Sequence, residues 1–247
     1  MISFAPQARQ GPPLSRAIFA AVIALVLVAC GQPAAVSPSP AAAPSVQEAP
    51  APKAEISSDS KVVVFLGDSL TAGYGLQPDE ALPDQVEAIW RANGIDAVAI
   101  NAGVSGDTTA NGLARFDWSV AAAEPDLLVV ALGANDFLMG VPPDIARANL
   151  AAILERANAA GIPAVLVGLT PRGALVPGSR EAAYAAIYPE LAAEYGVPYY
   201  PSLLGQIEGD PSLLQPDGLH PTKEGVVVIS APLAAFLEPV ILSIEAQ

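Results

Sequence analysis

The chain has 247 residues, 52% of them hydrophobic and 15% charged, with a formal net charge of −14; that is enough apolar material for a real core and excludes disorder over most of its length. The basic residues before Lys61 (Arg9, Arg16, Lys53) balance the acidic ones (Glu48, Glu55, Asp59), so the whole negative excess lies in the segment that follows. A body that acidic repels phosphate backbones and has no basic run to hold anionic lipid, which excludes nucleic acid as a partner and attachment to a membrane by surface charge.

In chain order, the first feature is the uncharged apolar run Ala17–Ala29, preceded by Arg9 and Arg16. As a helix it would span about 20 Å, short of a hydrocarbon core of about 30 Å, so it reads as the apolar region of a secretory signal. Leu27-Val28-Ala29-Cys30-Gly31 resembles the bacterial lipobox, in which the cysteine is lipidated and becomes the mature N-terminus. A plain signal peptide or an N-terminal anchor with an incidental cysteine is the other reading. Gly31, in place of an aspartate, resembles lipoproteins passed on to the outer membrane. Residues 31–60 contain 20 Ala, Pro and Ser among 30; without apolar periodicity, and with prolines that forbid regular ladders, they read as a tether. The expected organisation is a lipoprotein signal over 1–30, a linker over 31–60 and a catalytic domain over 61–247, on a protein exported and lipid-anchored to the bacterial cell envelope, at the outer membrane facing the periplasm.

From Lys61 the pattern changes. Val62–Leu66, Ala97–Ile100, Leu127–Leu132 and Ala164–Leu169 are short apolar runs, with a weaker one at Val197–Tyr200, and each reads as a strand. Helical stretches are expected at Leu82–Asn93, Asn111–Ala123, Pro143–Ala160, Arg180–Tyr195 and Thr222–Leu237. Trp90 and Trp118 fall inside two of them and are expected in the core. Alternating apolar strands and helices predict a three-layer α/β domain around a parallel sheet. In such sheets ligands bind outside the carboxyl ends of the strands.

Three polar segments follow predicted strand ends and a fourth precedes the last helix: Gly67-Asp68-Ser69-Leu70-Thr71, Asn101 to Thr108, Gly133-Ala134-Asn135-Asp136, and Asp217-Gly218-Leu219-His220-Pro221. Their convergence on one sheet edge is what gives them meaning. His220 is the single histidine of the chain, and Asp217 is close enough on a turn to accept its Nδ1–H and set the tautomer. Ser69 would need such a base, because a serine hydroxyl is a weak nucleophile until its proton is taken. Acyl transfer also needs N–H donors aimed at the oxygen that turns negative; the backbone N–H groups of Ser69 and Gly106 and the side-chain amide of Asn135 are the candidates. Each residue has a plainer use: a structural histidine, a helix-capping serine, a turn glycine, a capping asparagine. Thr71 stands where the Gly-x-Ser-x-Gly elbow of the α/β-hydrolases requires glycine, so that family is not supported.

Taken together, GDSLTAGYG, VSGDTTANGLARF, LGANDFL and DGLHPTKEG resemble, in order, the four blocks of the SGNH (GDSL) hydrolase superfamily, in the bacterial branch that includes thioesterase I, lysophospholipase and arylesterase. The resemblance implies a flavodoxin-like five-stranded sheet, no metal or other cofactor, a catalytic triad of Ser69, Asp217 and His220, and an oxyanion hole of Ser69, Gly106 and Asn135. The implied partner is a small-molecule ester, thioester or lysolipid. After the fourth strand that branch carries a Pro-Asn-Tyr-Gly-like turn; this chain reads Thr170-Pro171-Arg172-Gly173-Ala174-Leu175-Val176-Pro177-Gly178 instead, so the resemblance says least about the acyl group. Two other readings stand beside it. Asp68, Asp136, Asp217 and His220 could hold a divalent metal in a phosphoesterase, or the domain could be a tethered binding module without turnover. Asp68 and Asp136 could alternatively bind loop amides, and the apolar Phe137–Val141 could either close over an acyl chain or pack on the sheet.

Overall fold

Five apolar runs form the strands of a parallel sheet in the computed structural model, which describes residues 60–169, 171 and 175–244. The strands are β1 (Lys61–Gly67), β2 (Ala97–Gly103), β3 (Leu127–Ala131), β4 (Ala164–Val167) and β5 (Tyr199–Tyr200), in the spatial order β2-β1-β3-β4-β5. This is the flavodoxin-like order, with its switch point between β1 and β3. The apolar run Ala17–Ala29, Cys30 and the Ala/Pro/Ser-rich stretch up to residue 59 lie outside the described residues.

Side chains alternate along each strand, and the sheet therefore feeds two cores. Val63, Phe65, Leu127, Val129, Val165 and Val167 point to one face, and Val64, Leu66, Leu128, Val130 and Leu166 to the other. The first face is covered by α2 (Leu82–Ala92) and α8 (Lys223–Leu242); the second by α6 (Pro143–Ala159) and α7 (Arg180–Tyr195). By length and composition α8 could cross a membrane. It instead buries Val226, Ile229, Leu233, Leu237 and Ile241, spaced three or four apart, against the sheet. The indole N–H of Trp90 on α2 donates to the Ala234 carbonyl of α8 at 3.3 Å and locks the two together.

Four expectations need correction. The helix expected over Asn111–Ala123 is broken into α3 (Thr109–Ala114), α4 (Phe116–Ser119) and a 3-10 turn at Ala121–Ala123. Trp118 is consequently not a core residue but 69% exposed: Phe116 and Val120, four apart, take the buried face, and Trp118 sits two residues from each on the opposite side. The last helix does not stop at Leu237 but runs through Pro232 and Pro239 to Leu242, because its apolar stripe continues to Ile241. The fifth strand shrinks to Tyr199–Tyr200, which pairs only with Leu166 and Val167 of β4.

Candidate active site

Register places the site. Gly67 of β1 pairs with Gly103 of β2 on one side and Ala131 of β3 on the other, so three strands end level. A Cβ on Gly103 would lie 2.3 Å from the Ala72 backbone nitrogen, so glycine there lets the next helix cross the strand end in contact with it. That helix is α1 (Ser69–Ala72), a single turn capped by the Asp68 carboxylate, which accepts from Leu70 N–H at 3.0 Å. Ser69 is its first residue, so its N–H has no partner within the helix. The loop after β2 presents Gly106 at φ +89°, with nothing within 4 Å of a Cβ built there. After β3 comes α5 (Ala134–Met139), with Asn135 in its first turn.

His220 arrives from the other end of the domain. A short antiparallel bridge between Leu214 and Pro221 closes a hairpin that carries Asp217 and His220. Its Gln215 N–H donates to the His220 carbonyl at 2.7 Å, and its side-chain amide donates to the carbonyls of Pro221 at 2.9 Å and Tyr74 at 2.7 Å. His220 Nε2 then lies 2.8 Å from Ser69 Oγ, and His220 Nδ1 lies 2.6 Å from Asp217 Oδ2. The other carboxylate oxygen of Asp217 accepts from the backbone N–H groups of Leu219 (2.8 Å) and His220 (3.1 Å). The hydrogen bond from His220, then these two amides, pull the Asp217 carboxyl down to about 2, so it faces the imidazole as an anion across the physiological range. The Tyr74 ring covers the imidazole at 4.4 Å between centroids.

All the residues singled out in the sequence as nucleophile, base or oxyanion donor meet here: Ser69, Gly106, Asn135 and His220 line one cleft of about 410 Å³, with Asp217 behind the histidine. Among the described residues lining it, none is charged other than through His220; Leu70, Tyr74, Phe137, Leu138, Leu169, Leu204 and Leu219 supply its apolar wall. The Phe137 segment divides between the interior and the cleft. Phe137 packs edge-on to Tyr184 and beneath Arg180, whereas Leu138 and Met139 stand exposed and Leu138 borders the cleft.

Two aspartates beside the site have settled uses. Asp136 is buried and its carboxylate accepts from Thr109 N–H (2.8 Å) and Thr109 Oγ1–H (2.6 Å), pinning α5 to α3. Asp68 is buried with the single amide bond already described; loss of water raises its carboxyl to about 6, with Asp107 and Asp136 adding to the rise and the Leu70 amide and His220 opposing it. Asp68, Asp136, Asp217 and His220 do not converge as a metal site: among the described residues no three His, Cys, Asp or Glu side chains are grouped to hold an ion. Residues that reasoning on the sequence passed over are Tyr74, Gln215, Asp107 and Arg115. Asp107 and Arg115 join in a buried ion pair, Arg115 Nε to Asp107 Oδ2 at 2.6 Å. Tyr74, Asp107 and Arg115 sit inside the blocks quoted above and could have been found there; Gln215 carries no signal of its own.

Residues 65–227 match the model of the GDSL-like lipase/acylhydrolase family. The chain belongs to that family. Two relatives of this GDSL-like chain are an arylesterase of Vibrio mimicus, 34% identical over 172 residues (68% of this chain, 84% of that protein), and the thioesterase 1/protease 1/lysophospholipase L1 of Escherichia coli K12, 33% identical over 180 residues (72% and 84%). Among solved structures it is similar to AlinE4, an SGNH-hydrolase family esterase, at TM-score 0.60 and 39% identity, covering 74% of this chain and 95% of that one. The GDSL-like sheet order and the three-layer arrangement agree with that likeness.

Because the Asp68 carboxyl is raised rather than lowered, its ionised form weakens the fold. That cost is absent below the ordinary value of 3.8, grows as pH rises and is complete above about 6. Asp68→Asn keeps an acceptor for Leu70 N–H and removes the charge. Its melting temperature is expected to exceed the parent's at about pH 8, with the gap closing below about pH 4; a gap independent of pH in thermal melts would contradict the assignment.

Proposed function

We propose that the chain is a serine hydrolase that cleaves carboxylic esters or thioesters through an acyl-enzyme on Ser69. The observation that carries the reading is the continuous line Ser69 Oγ, His220 Nε2, His220 Nδ1, Asp217 Oδ2, with contacts of 2.8 and 2.6 Å. In this reading Ser69 Oγ attacks the acyl carbon as its proton passes to His220 Nε2. The carbonyl oxygen takes up the electron pair and is held by the Ser69 and Gly106 N–H groups and Asn135 Nδ2. Collapse expels the alcohol or thiol, which leaves with the proton from His220. Water then attacks the acyl-enzyme, His220 takes its proton, and Ser69 departs from the second intermediate with that proton. Asp217 keeps the imidazole in one tautomer and stabilises its charged form.

The cleft wall, apolar and free of charge apart from His220 among the described residues, supports an uncharged acyl group. The net charge of −14 disfavours a polyanionic leaving group such as coenzyme A. Both features, with relatives named as arylesterase and as thioesterase 1/protease 1/lysophospholipase L1, support simple esters or lysolipids as substrates. The run Ala17–Ala29 and Leu27-Val28-Ala29-Cys30 support export and lipidation at Cys30, and Gly31 supports an outer-membrane position facing the periplasm.

Ser69→Ala is expected to lower kcat on p-nitrophenyl butyrate by about 10⁴–10⁶-fold, and Asn135→Ala by about 10²–10³-fold, with EDTA leaving the parent rate unchanged. Near-normal turnover by Ser69→Ala, or loss of the parent rate to EDTA, would contradict the reading. For the anchor, Cys30→Ser in a bacterial host is expected to abolish incorporation of labelled palmitate and release the protein from the membrane fraction. Undiminished labelling of the variant would reject lipidation at Cys30.

A further inference from the structure

The donors of the oxyanion hole come from three separate segments, and one side chain ties those segments together. Arg115 lies at the break between α3 and α4, and it is the one buried basic residue among the described residues. Its Nη2 donates to the Gly67 carbonyl at 2.9 Å, two residues before Ser69. Its Nε donates to Asp107 Oδ2 at 2.6 Å, one residue after Gly106. The backbone carbonyl of that same Asp107 accepts from Asn135 Nδ2 at 2.9 Å, which uses one amide hydrogen and leaves the second for substrate. The third nitrogen, Nη1, donates to Ser119 Oγ at 3.1 Å, away from the site.

We infer that Arg115 is a positioning residue that presets the oxyanion hole by fixing the Ser69 turn, the Gly106 loop and, through Asp107, the Asn135 amide against one another. The inference rests on the acyl-enzyme reading of Ser69. A planar guanidinium holds two acceptors at a fixed separation, which an ammonium on a flexible stem does not. The pair also neutralises Asp107, one of three buried carboxylates, Asp68, Asp107 and Asp136, that adjoin Ser69, Gly106 and Asn135 in the chain, where unpaired charge would oppose a developing oxyanion. Arg115 does not line the cleft, and its hydrogen bonds go to Asp107, Gly67 and Ser119 rather than to Ser69, so its effect has to pass through the geometry of the donors. Donors aimed in advance act on the transition state and little on the bound ester, so loss of aim lowers kcat and leaves KM nearly unchanged.

The test compares Arg115→Lys, Asp107→Asn and Ser119→Ala with the parent on p-nitrophenyl butyrate. Rates are taken well below each melting temperature and corrected for the folded fraction by near-ultraviolet circular dichroism. Arg115→Lys and Asp107→Asn are expected to lose about 10–100-fold in kcat with KM within about 3-fold. In an Asn135→Ala background the same changes are expected to cost less than they do in the parent, because one of the three donors they aim is already gone. Ser119→Ala, which removes only the outward bond, is expected to keep the parent kcat. Should Arg115→Lys not fold, Asp107→Asn, with the same shape, carries the test. A purely structural ion pair would lower the melting temperature and leave the corrected kcat within about 2-fold of the parent, and that result would overturn the inference. Equal losses in Ser119→Ala, or losses fully additive with Asn135→Ala, would overturn it as well. Ser69→Ala separates the two levels: if it is inactive while the Arg115 variants are normal, only this inference fails, and if it turns over normally the acyl-enzyme reading fails first.

Discussion

Parallel pairing brings Gly67, Gly103 and Ala131 into one row across β1, β2 and β3, and Ser69, Gly106 and Asn135 are all placed relative to that row. Ser69 follows its strand end by two residues, Gly106 by three and Asn135 by four, so short loops leave little freedom in where the three donors sit. A one-residue slip of β1 against either neighbour would reverse which face Val63 and Phe65 present, driving core side chains to the wrong layer. The two hydrophobic cores thus hold the register, and the register holds the reacting groups.

The histidine is supplied differently. It rides on a hairpin some 150 residues further along the chain, and what fixes it is polar: Gln215 binds the loop to itself and to Tyr74, and Asp217 is clamped by two amides of its own turn. The candidate site therefore joins a rigid sheet edge, which places Ser69, Gly106 and Asn135, to a hydrogen-bonded loop, which presents His220. Around them the charge is mostly negative and mostly satisfied. Asp136 is absorbed by Thr109 and Asp107 by Arg115, while burial raises the Asp68 carboxyl, which has a single amide partner, above its ordinary value.

Much of this was legible in the sequence, for identifiable reasons. Uninterrupted apolar runs such as Val62–Leu66, β-branched at their first three positions, have few alternatives to a buried strand, and Asp217-x-x-His220 beside proline and glycine is a local geometry that spacing alone reveals. What stayed hidden depended on contacts distant in the chain. The helix from Asn111 looked continuous because nothing local shows that Arg115 turns inward to reach Gly67, 48 positions earlier; Trp118 was misplaced for the same reason. α8 looked shorter because proline argues for a helix end, whereas the burial of Leu237 and Ile241 outweighs the lost backbone bonds. Gln215 showed no sign of its importance because its partners are main-chain carbonyls, which leave no mark on sequence.

The central claim is that Ser69 forms the covalent bond to the acyl group. The most direct measurement is to inactivate the full chain with a small fluorophosphonate, record the intact mass and locate the adduct by peptide sequencing. One adduct per chain is expected, on Ser69, and none on protein unfolded before exposure. An adduct on another serine, such as Ser105 or Ser202, or an unmodified chain that still hydrolyses esters, would contradict it.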